Sequence, residues 1–221
     1  MHVELIDKLR CIRPHEDSWL VAASLESVGR QIVRGTLGCP VCKTEYEIRD
    51  GEVWFGSDDE LTDVAGTSGD LAVADGFDEA RVRLAALLGL SERGGVYLLC
   101  GAWARYVDTL EEFGPAEWLL LSPPPPIRGD GTLRGCGELL PVARGSLRGV
   151  ALHRPSAELA SAAVAALGAG GRLIAPALTP VPFGVTVLAR DDREWVAERS
   201  AEASFSGLVT PRRAAPRTDH Q

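Results

Sequence analysis

The second half of the chain is dominated by segments with apolar residues at helical spacing. Residues 78–90 and 105–114 show this spacing, and the alanine-rich stretch at 156–168 predicts a further helix that ends at its glycine. Ser156 stands at the N-cap position of the alanine-rich helix, and Asp78 stands at the N-cap position of the first. The periodicity therefore predicts three helices in this half.

Short, nearly continuous apolar runs lie between and after these helices. Runs of this kind are typical of strands buried on both faces. They occupy residues 94–101, 116–122, 145–153, 171–178 and 183–192. The pattern at 193–202 fits one more short helix. Because helix and strand alternate regularly, we predict an α/β fold with a parallel or mostly parallel sheet.

The first 56 residues follow a different pattern. Residues 45–55 alternate apolar and polar positions around Asp50-Gly51, a dipeptide that favours a two-residue β-hairpin turn. Just before this hairpin, Cys39 and Cys42 are separated by two residues, so both sulfurs can face one ion from a tight knuckle. A knuckle that leads into a hairpin is a zinc-ribbon arrangement.

A structural zinc ion takes four protein ligands in a tetrahedron, which leaves no open position for a substrate. Cys39 and Cys42 supply two ligands, and Cys11 is the third because no other cysteine precedes residue 100. His15 is the nearest candidate for the fourth. The alternatives for that position are His2, Asp17 or a water molecule. A redox pair of this spacing would lie at a helix N-terminus, and here a hairpin follows instead.

These patterns divide the chain into four parts. We predict a zinc-ribbon module at 1–56, an acidic linker at 57–77, an α/β domain at 78–209 and a disordered tail at 210–221. The tail is polar and interrupted by proline.

Charge and hydropathy narrow the function classes. The chain has 31 Asp and Glu against 23 Lys and Arg, and this net charge of −8 disfavours a dedicated nucleic-acid-binding protein. Glycine and proline interrupt the longest nearly uncharged region, at 159–189, so it is not a membrane-spanning helix. Without a basic or apolar leader at its start, the sequence is expected to be a soluble, cytoplasmic protein.

Residues 1–56 resemble the small zinc-ribbon proteins that bind and activate tRNA and release-factor methyltransferases. The similar segments are LIDKLRC, GTLGCPVCKTEYEI and DGEVWF. In that family the first ligand pair is usually two cysteines, and His15 is here the substitute for the second. The resemblance implies that the module binds a protein partner, either its own second domain or a separate methyltransferase or translation factor.

Residues 78–200 resemble a class I methyltransferase domain, the Rossmann-like fold that binds S-adenosylmethionine. The order of elements fits, and ELLPVARGSLRGVALH and AALGAGGRLIAP are similar to that family's later strands and turns. The family's Gly-rich turn after the first strand contacts the cofactor. Gly101 is retained at this turn, so the resemblance implies a cofactor-binding role for it.

Other cofactor positions depart from the family. Leu99 stands where the family has an acid, and Trp103 and Arg105 replace small residues in a turn that the ligand must approach closely. Ser122 and prolines replace the acid that binds the ribose, and Cys136 stands near the adenine position. Each lost charged hydrogen bond costs about 1.5–3 kcal/mol. We therefore expect a methyltransferase-like domain that has lost its cofactor.

The sequence is compatible with three functions. The first is a zinc-binding, non-catalytic protein that acts through protein–protein interaction. The second is an active S-adenosylmethionine-dependent methyltransferase with a fused activator, in which Glu138 or Asp130 supplies some of the lost charge. The third is a zinc-ribbon adaptor for tRNA or the translation apparatus. No catalytic residue is assigned, since His153 has no identifiable acid partner and Cys100 is a single thiol.

Overall fold

The computed structural model describes residues 1–56, 76–90 and 94–200 of the 221-residue chain. The predicted tail, and the predicted linker except for Gly76 and Phe77, lie outside these residues. The described strands are β1 (Val21–Val28), β2 (Gln31–Gly38), β3 (Glu45–Arg49), β4 (Glu52–Trp54), β5 (Val96–Cys100), β6 (Glu117–Leu121), β7 (Thr132–Arg134), β8 (Leu147–Ala151), β9 (Leu167–Pro176), β10 (Val185–Arg190) and β11 (Glu194–Arg199). The helices are α1 (Val3–Ile6), α2 (Phe77–Leu88), α3 (Val107–Leu110) and α4 (Ala157–Ala166), and 3₁₀ turns flank α3 at Gly101–Tyr106 and Glu111–Phe113.

All the described strands belong to one mixed sheet in the order β1-β2-β3-β4-β7-β6-β5-β8-β9-β11-β10. The neighbours from β4 through β9 pair in parallel, and the pairs at both ends of the sheet are antiparallel. The predicted α/β fold is confirmed, but the sheet is mixed rather than parallel throughout, because the strands at both ends pair antiparallel. The strand order reverses between β5 and β8, and this reversal places the crevice described below.

The central strands are buried on both faces, as their continuous apolar runs predict. On β5, Tyr97 and Leu99 face a core shared with α2 and α3, whereas Leu98 and Cys100 face a second core that contains α4. Each fully buried leucine of this kind contributes about 1.5–3 kcal/mol to folding. These two apolar layers fix the position of the parallel strands.

The assignment of residues 193–202 to a helix is wrong. Glu194–Arg199 is strand β11, which pairs antiparallel with β9 and with β10. Trp195 and Ala197 are fully buried in one core and Val196 is buried in the other, so successive side chains point to opposite faces of the sheet. The short pattern of this segment is compatible with a helix or a strand, and burial on both faces of the sheet determines that it is a strand.

The predicted helix caps have different outcomes. Ser156 accepts a hydrogen bond from the Leu159 amide at 3.1 Å and caps α4, as predicted. Asp78 is not the N-cap of α2: the helix begins at Phe77 with Gly76 at the cap position, and the Asp78 carboxylate accepts from Arg81 Nε at 3.0 Å instead. The start of the helix therefore lacks a side-chain cap.

The hairpin predicted at Asp50-Gly51 is present between β3 and β4. Both turn residues have positive φ, 50° and 80°, which is the requirement of the type I′ turn. This turn aligns Ile48 with Val53 across the pair, and both side chains are buried. The hairpin thus presents an apolar face to the core that contains α4.

The front module, residues 1–56, packs against the sheet formed by the later strands. Strand β4 pairs in parallel with β7, so one sheet continues across the predicted domain boundary. The His2 amide donates to the Asp130 carbonyl at 2.8 Å, and the Arg10 amide donates to the Pro141 carbonyl at 2.9 Å. Gly131 permits the close approach of α1, because a Cβ at this position would lie 2.8 Å from Leu5 Cδ1.

A buried ion pair joins the same two parts. Glu52 is 5% exposed, and its two carboxylate oxygens each accept from Arg134, from Nε and from Nη2, at 3.0 Å. Arg134 Nη1 also donates to the Pro123 carbonyl at 2.6 Å. A bidentate pair with additional carbonyl acceptors offsets much of the cost of burying both charges.

Candidate metal centre

The Cys39–Cys42 knuckle follows β2 directly. The Lys43 amide donates to the Cys39 carbonyl at 3.0 Å, and the Cys39 amide donates to the Thr44 carbonyl at 2.8 Å. Lys43 has a φ of 63°, which turns the chain back into β3. The two sulfurs consequently face the same side of this turn.

The second pair of donors lies on the segment between α1 and β1, which we call the front arm (residues 10–19). The Cys11 amide donates to the Ser18 carbonyl at 3.2 Å, and Arg10 pairs with Trp19 in an isolated bridge. These contacts fold the arm into a loop that carries Cys11 and His15. The loop closes over the knuckle.

The structure brings Cys11, His15, Cys39 and Cys42 together at one point. Their ligand atoms all lie within 4.8 Å of one another. His15 Nε2 is 3.1 Å from Cys11 Sγ and 3.4 Å from Cys39 Sγ, and the sulfurs of Cys11 and Cys42 are 3.7 Å apart. Three thiolates and one imidazole at these distances can bind one metal ion.

The two alternative residues for the fourth position lie in other contacts. His2 is the N-cap of α1, where its Nδ1 accepts from the Glu4 amide at 3.4 Å. Asp17 forms an ion pair with Arg10 Nε at 3.4 Å. His15 is therefore the residue whose nitrogen faces the sulfurs.

Hydrogen bonds orient the donors of this cluster. His15 Nδ1 donates to the Glu16 carbonyl at 2.6 Å, which leaves the Nε2 lone pair free to face the sulfurs. The Thr44 hydroxyl is 3.2 Å from Cys42 Sγ, and the Tyr46 hydroxyl is 3.2 Å from Cys11 Sγ. Hydrogen bonds from the Thr44 hydroxyl and amide lower the pKa of Cys42 to about 6, whereas burial raises the pKa of Cys11.

The predicted cofactor turn lies at the carboxyl ends of β5 and β8, where the strand order reverses. In open α/β sheets this is the place where ligands bind. Gly101 has a φ of 59°, and a Cβ there would lie 3.1 Å from His153 Nδ1. Trp103 reaches across and donates from Nε1 to the Leu152 carbonyl at 3.2 Å. His153 and Trp103 thus lie in this crevice, beside the turn at Gly101.

Among the described residues, the turns that follow β5 and β6 at this edge, residues 101–106 and 122–127, contain no carboxylate. Asp130 precedes β7 and lies at the opposite, amino-terminal edge of the sheet. Glu138 follows β7, at the same carboxyl edge as the crevice, and is exposed. Cys136 is buried, and burial raises the pKa of its thiol.

His153 lies in a half-buried position at this edge of the sheet. Burial lowers the pKa of His153, and the guanidinium groups of Arg154 and Arg105 lower it further. The imidazole is therefore disfavoured as a cation.

The hydroxyls of Tyr46 and Thr44 were not predicted as part of the site. The alternation over residues 45–55 places Tyr46 on the apolar face of the hairpin, where it is buried, and its hydroxyl also reaches Cys11. The available signal was spacing: Thr44 and Tyr46 lie two and four residues after Cys42. Residues this close to a knuckle can donate to its sulfurs or to a ligand from a second segment.

No protein-family model matches this chain, and no curated protein shows significant similarity to it. Among the described residues, no helix is both long enough and apolar enough to cross a membrane.

Proposed function

We propose that this chain is a zinc-binding, methyltransferase-like protein that has lost its cofactor and acts through protein–protein interaction. The proposal has three parts: the identity of the metal, the relationship of the second domain to class I methyltransferases, and the loss of S-adenosylmethionine binding. Each part is supported by different residues.

The donor set supports zinc as the metal. Three cysteines and one histidine are a common ligand set of structural zinc sites, in which sulfurs bound at about 2.3 Å in a tetrahedron lie about 3.8 Å apart. The Cys11–Cys42 separation of 3.7 Å is close to this value. Zinc would tie the front arm to the knuckle and stabilise a module whose own core is small.

The strand order supports the methyltransferase-like domain. From β5 onward, the first five strands of this domain follow the 3-2-1-4-5 order of Rossmann-type sheets, as β7-β6-β5-β8-β9. Strand β11 is antiparallel and lies between β9 and β10. The resemblance of residues 78–200 to class I methyltransferases is compatible with this arrangement.

One observation carries the loss of the cofactor: the crevice at the strand reversal is occupied by the protein's own side chains. Trp103 is hydrogen-bonded across it to Leu152, and His153 lies against Gly101. A cofactor with a cationic sulfonium and two ribose hydroxyls would need space and carboxylates that the described residues of the turns after β5 and β6 do not provide. Binding would therefore be weakened by several charged hydrogen bonds at about 1.5–3 kcal/mol each.

Calorimetric titration of the zinc-loaded protein with S-adenosylmethionine tests this loss. We expect no heat of binding up to millimolar ligand. Trp103→Ala, which clears the indole from the crevice, should also fail to bind because the carboxylates remain missing. Micromolar binding by the wild type would overturn the proposal in favour of an active methyltransferase with a fused activator.

Metal analysis tests the zinc site independently. The wild type should contain one zinc ion per chain, and Cys39→Ser should contain none. If neither protein contains or takes up zinc, the metal centre is refuted, whatever the cofactor titration shows.

The partner would have to use a surface other than the β4 edge. Strand β4 is already paired with β7 of the same chain, and the Glu52–Arg134 ion pair lies at this junction. The resemblance implies a separate methyltransferase or a translation factor as the partner. The acidic chain is not expected to retain tRNA in a filter-binding assay at moderate salt, and strong retention would favour the adaptor function.

A further inference from the structure

We propose that Tyr46 is a positioning residue of the metal centre, whose hydroxyl donates a hydrogen bond to Cys11 and orients that sulfur towards the metal. The inference rests on the proposed zinc site. It assigns to the hairpin a role in metal binding beyond its position behind the knuckle.

Tyr46 is held rigidly in place. It lies on β3 and is 2% exposed, and its ring packs against Phe55 with a centroid distance of 4.7 Å. Its hydroxyl lies 3.2 Å from Cys11 Sγ. The donor group therefore comes from a buried, packed side chain on a strand, while the sulfur comes from the front arm.

The direction of the hydrogen bond follows from the proposed ligand role of Cys11. A cysteine that binds a metal is a thiolate, which has no proton and can only accept, so the Tyr46 hydroxyl is the donor. The Ile12 amide lies 3.4 Å from the Tyr46 oxygen and donates to it, and this contact leaves the phenol proton available for Cys11.

The negative charge of the thiolate ligands makes a hydrogen bond to Cys11 important for metal binding. Three thiolates and one neutral imidazole around Zn²⁺ carry a net charge of −1. A thiolate in a partly buried position, as Cys11 is, loses hydration that a protein donor must replace. The Arg13 amide is a second donor to Cys11, at 3.5 Å, and is longer than the contact from Tyr46.

Cys42 offers an internal comparison. Its Sγ lies at the same distance, 3.2 Å, from the Thr44 hydroxyl, and as a thiol it is the donor of that contact; Cys42 is also exposed, so water can replace Thr44 as its partner. Removing the Thr44 hydroxyl should therefore cost less metal affinity than removing the Tyr46 hydroxyl. This ordering separates a directed hydrogen bond in a buried position from a general effect of the hairpin.

The test compares the full-length wild type with Tyr46→Phe and Thr44→Val. Zinc affinity is measured by competition with a chromophoric chelator, and the thiolate-to-metal charge-transfer band is measured after loading with Co²⁺. Tyr46→Phe should bind zinc about tenfold or more weakly, in line with the effect of removing an outer-shell partner. Its charge-transfer band should move to lower energy, because a thiolate without its donor is easier to oxidise.

Tyr97→Phe is the matched control. Tyr97 is equally buried, at 1% exposed, but packs against Trp118 in the core that contains α2 and α3. It should leave zinc affinity and the Co²⁺ spectrum unchanged. A general loss of packing after removal of a tyrosine hydroxyl would instead change the control as well.

Unfolding with and without zinc covers the case in which Tyr46→Phe folds poorly. If the hydroxyl acts on the metal centre, Tyr46→Phe should lose more stability in excess zinc than in the presence of a chelator, as measured by urea unfolding. The inference is overturned if Tyr46→Phe binds metal with wild-type affinity and spectrum, or if its loss of stability is the same with and without zinc. A wild type that binds no metal would overturn the zinc site itself, and this inference with it.

Discussion

The metal centre and the crevice between β5 and β8 are built in opposite ways. At the metal centre, four donors from two segments converge within 4.8 Å, and hydroxyls lie beside two of the sulfurs. At the crevice, Gly101 turns the chain after β5, and Trp103 and His153 lie beside it. The comparison teaches that a fold and its ligand chemistry are separate properties, because apolar layers maintain the sheet whereas a ligand site depends on each donor.

The largest expected effect comes from removing one ligand of the metal centre. Cys39→Ser removes the most buried of the three sulfurs, at 2% exposed. We expect zinc content to fall from one per chain to none. The free energy of unfolding in excess zinc should fall by about 4 kcal/mol, which is the contribution of a ligand present at about a thousandfold excess over its dissociation constant.

Urea unfolding with and without a chelator measures this effect. The chelator should destabilise the wild type and leave Cys39→Ser unchanged. A chelator effect of equal size in both proteins would show that the four residues do not form the site.

The second prediction tests whether the metal-bearing module and the crevice-bearing sheet fold as one unit. Arg134→Ala leaves the buried Glu52 carboxylate without its bidentate partner, which should cost about 3 kcal/mol. Arg128→Ala is the matched control, because Arg128 is exposed and 3.7 Å from the same carboxylate, and it should cost less than about 1 kcal/mol.

Equilibrium unfolding followed in both parts of the chain provides the measurement. If the parts fold together, Arg134→Ala lowers the midpoint of one shared transition. If only the front module loses stability while the sheet keeps its midpoint, the two parts are independent folding units.

The sequence predicted the local elements of both regions. Continuous apolar runs located β5, β6, β8 and β9, because burial on both faces is itself a sequence property. The spacing of Cys39 and Cys42, with the type I′ turn at Asp50-Gly51, located the knuckle and hairpin. Local patterns sufficed wherever neighbouring residues determine the structure.

The features that the sequence did not reveal depend on contacts between distant segments. The pairing of β4 with β7 and the Glu52–Arg134 ion pair join residues about eighty positions apart, and no local pattern encodes them. Strand β11 was assigned wrongly because its identity is decided by pairing with β9 and β10. The hydroxyl of Tyr46 was overlooked because its acceptor lies on a different segment.

The third prediction tests whether His153 fills the crevice next to Gly101. Gly101→Ala should destabilise the protein by about 1–2 kcal/mol, because alanine is strained at a φ of 59° and its Cβ would lie 3.1 Å from His153 Nδ1. Gly137→Ala is the matched control: its φ is 56°, but nothing lies within 4 Å of the added Cβ. The excess cost at Gly101 measures the contact.

Thermal or urea unfolding of both variants checks this excess, and His153→Ala should abolish it. An equal cost at Gly101 and Gly137 would mean that the crevice is open enough to accept a side chain. The statement that Trp103 and His153 fill the crevice would then be wrong, whereas the metal centre would be unaffected.

The smallest expected effect is the pH dependence that His153 brings to the crevice. Burial, with Arg154 and Arg105 nearby, lowers the pKa of His153 below its ordinary value. The unfolded chain therefore binds more protons than the folded one just below the ordinary histidine pKa of about 6.5. The stabilising contribution is fully present above that pH and is lost as the pH falls towards the lowered pKa.

Urea unfolding of the zinc-loaded wild type and of His153→Gln between pH 7.5 and 5.5 measures this loss. The free energy of unfolding should decline less steeply with falling pH in the variant, because glutamine does not titrate. Parallel declines would show that the imidazole is solvated rather than enclosed, so that the crevice retains room for water where His153 lies against the glycine turn.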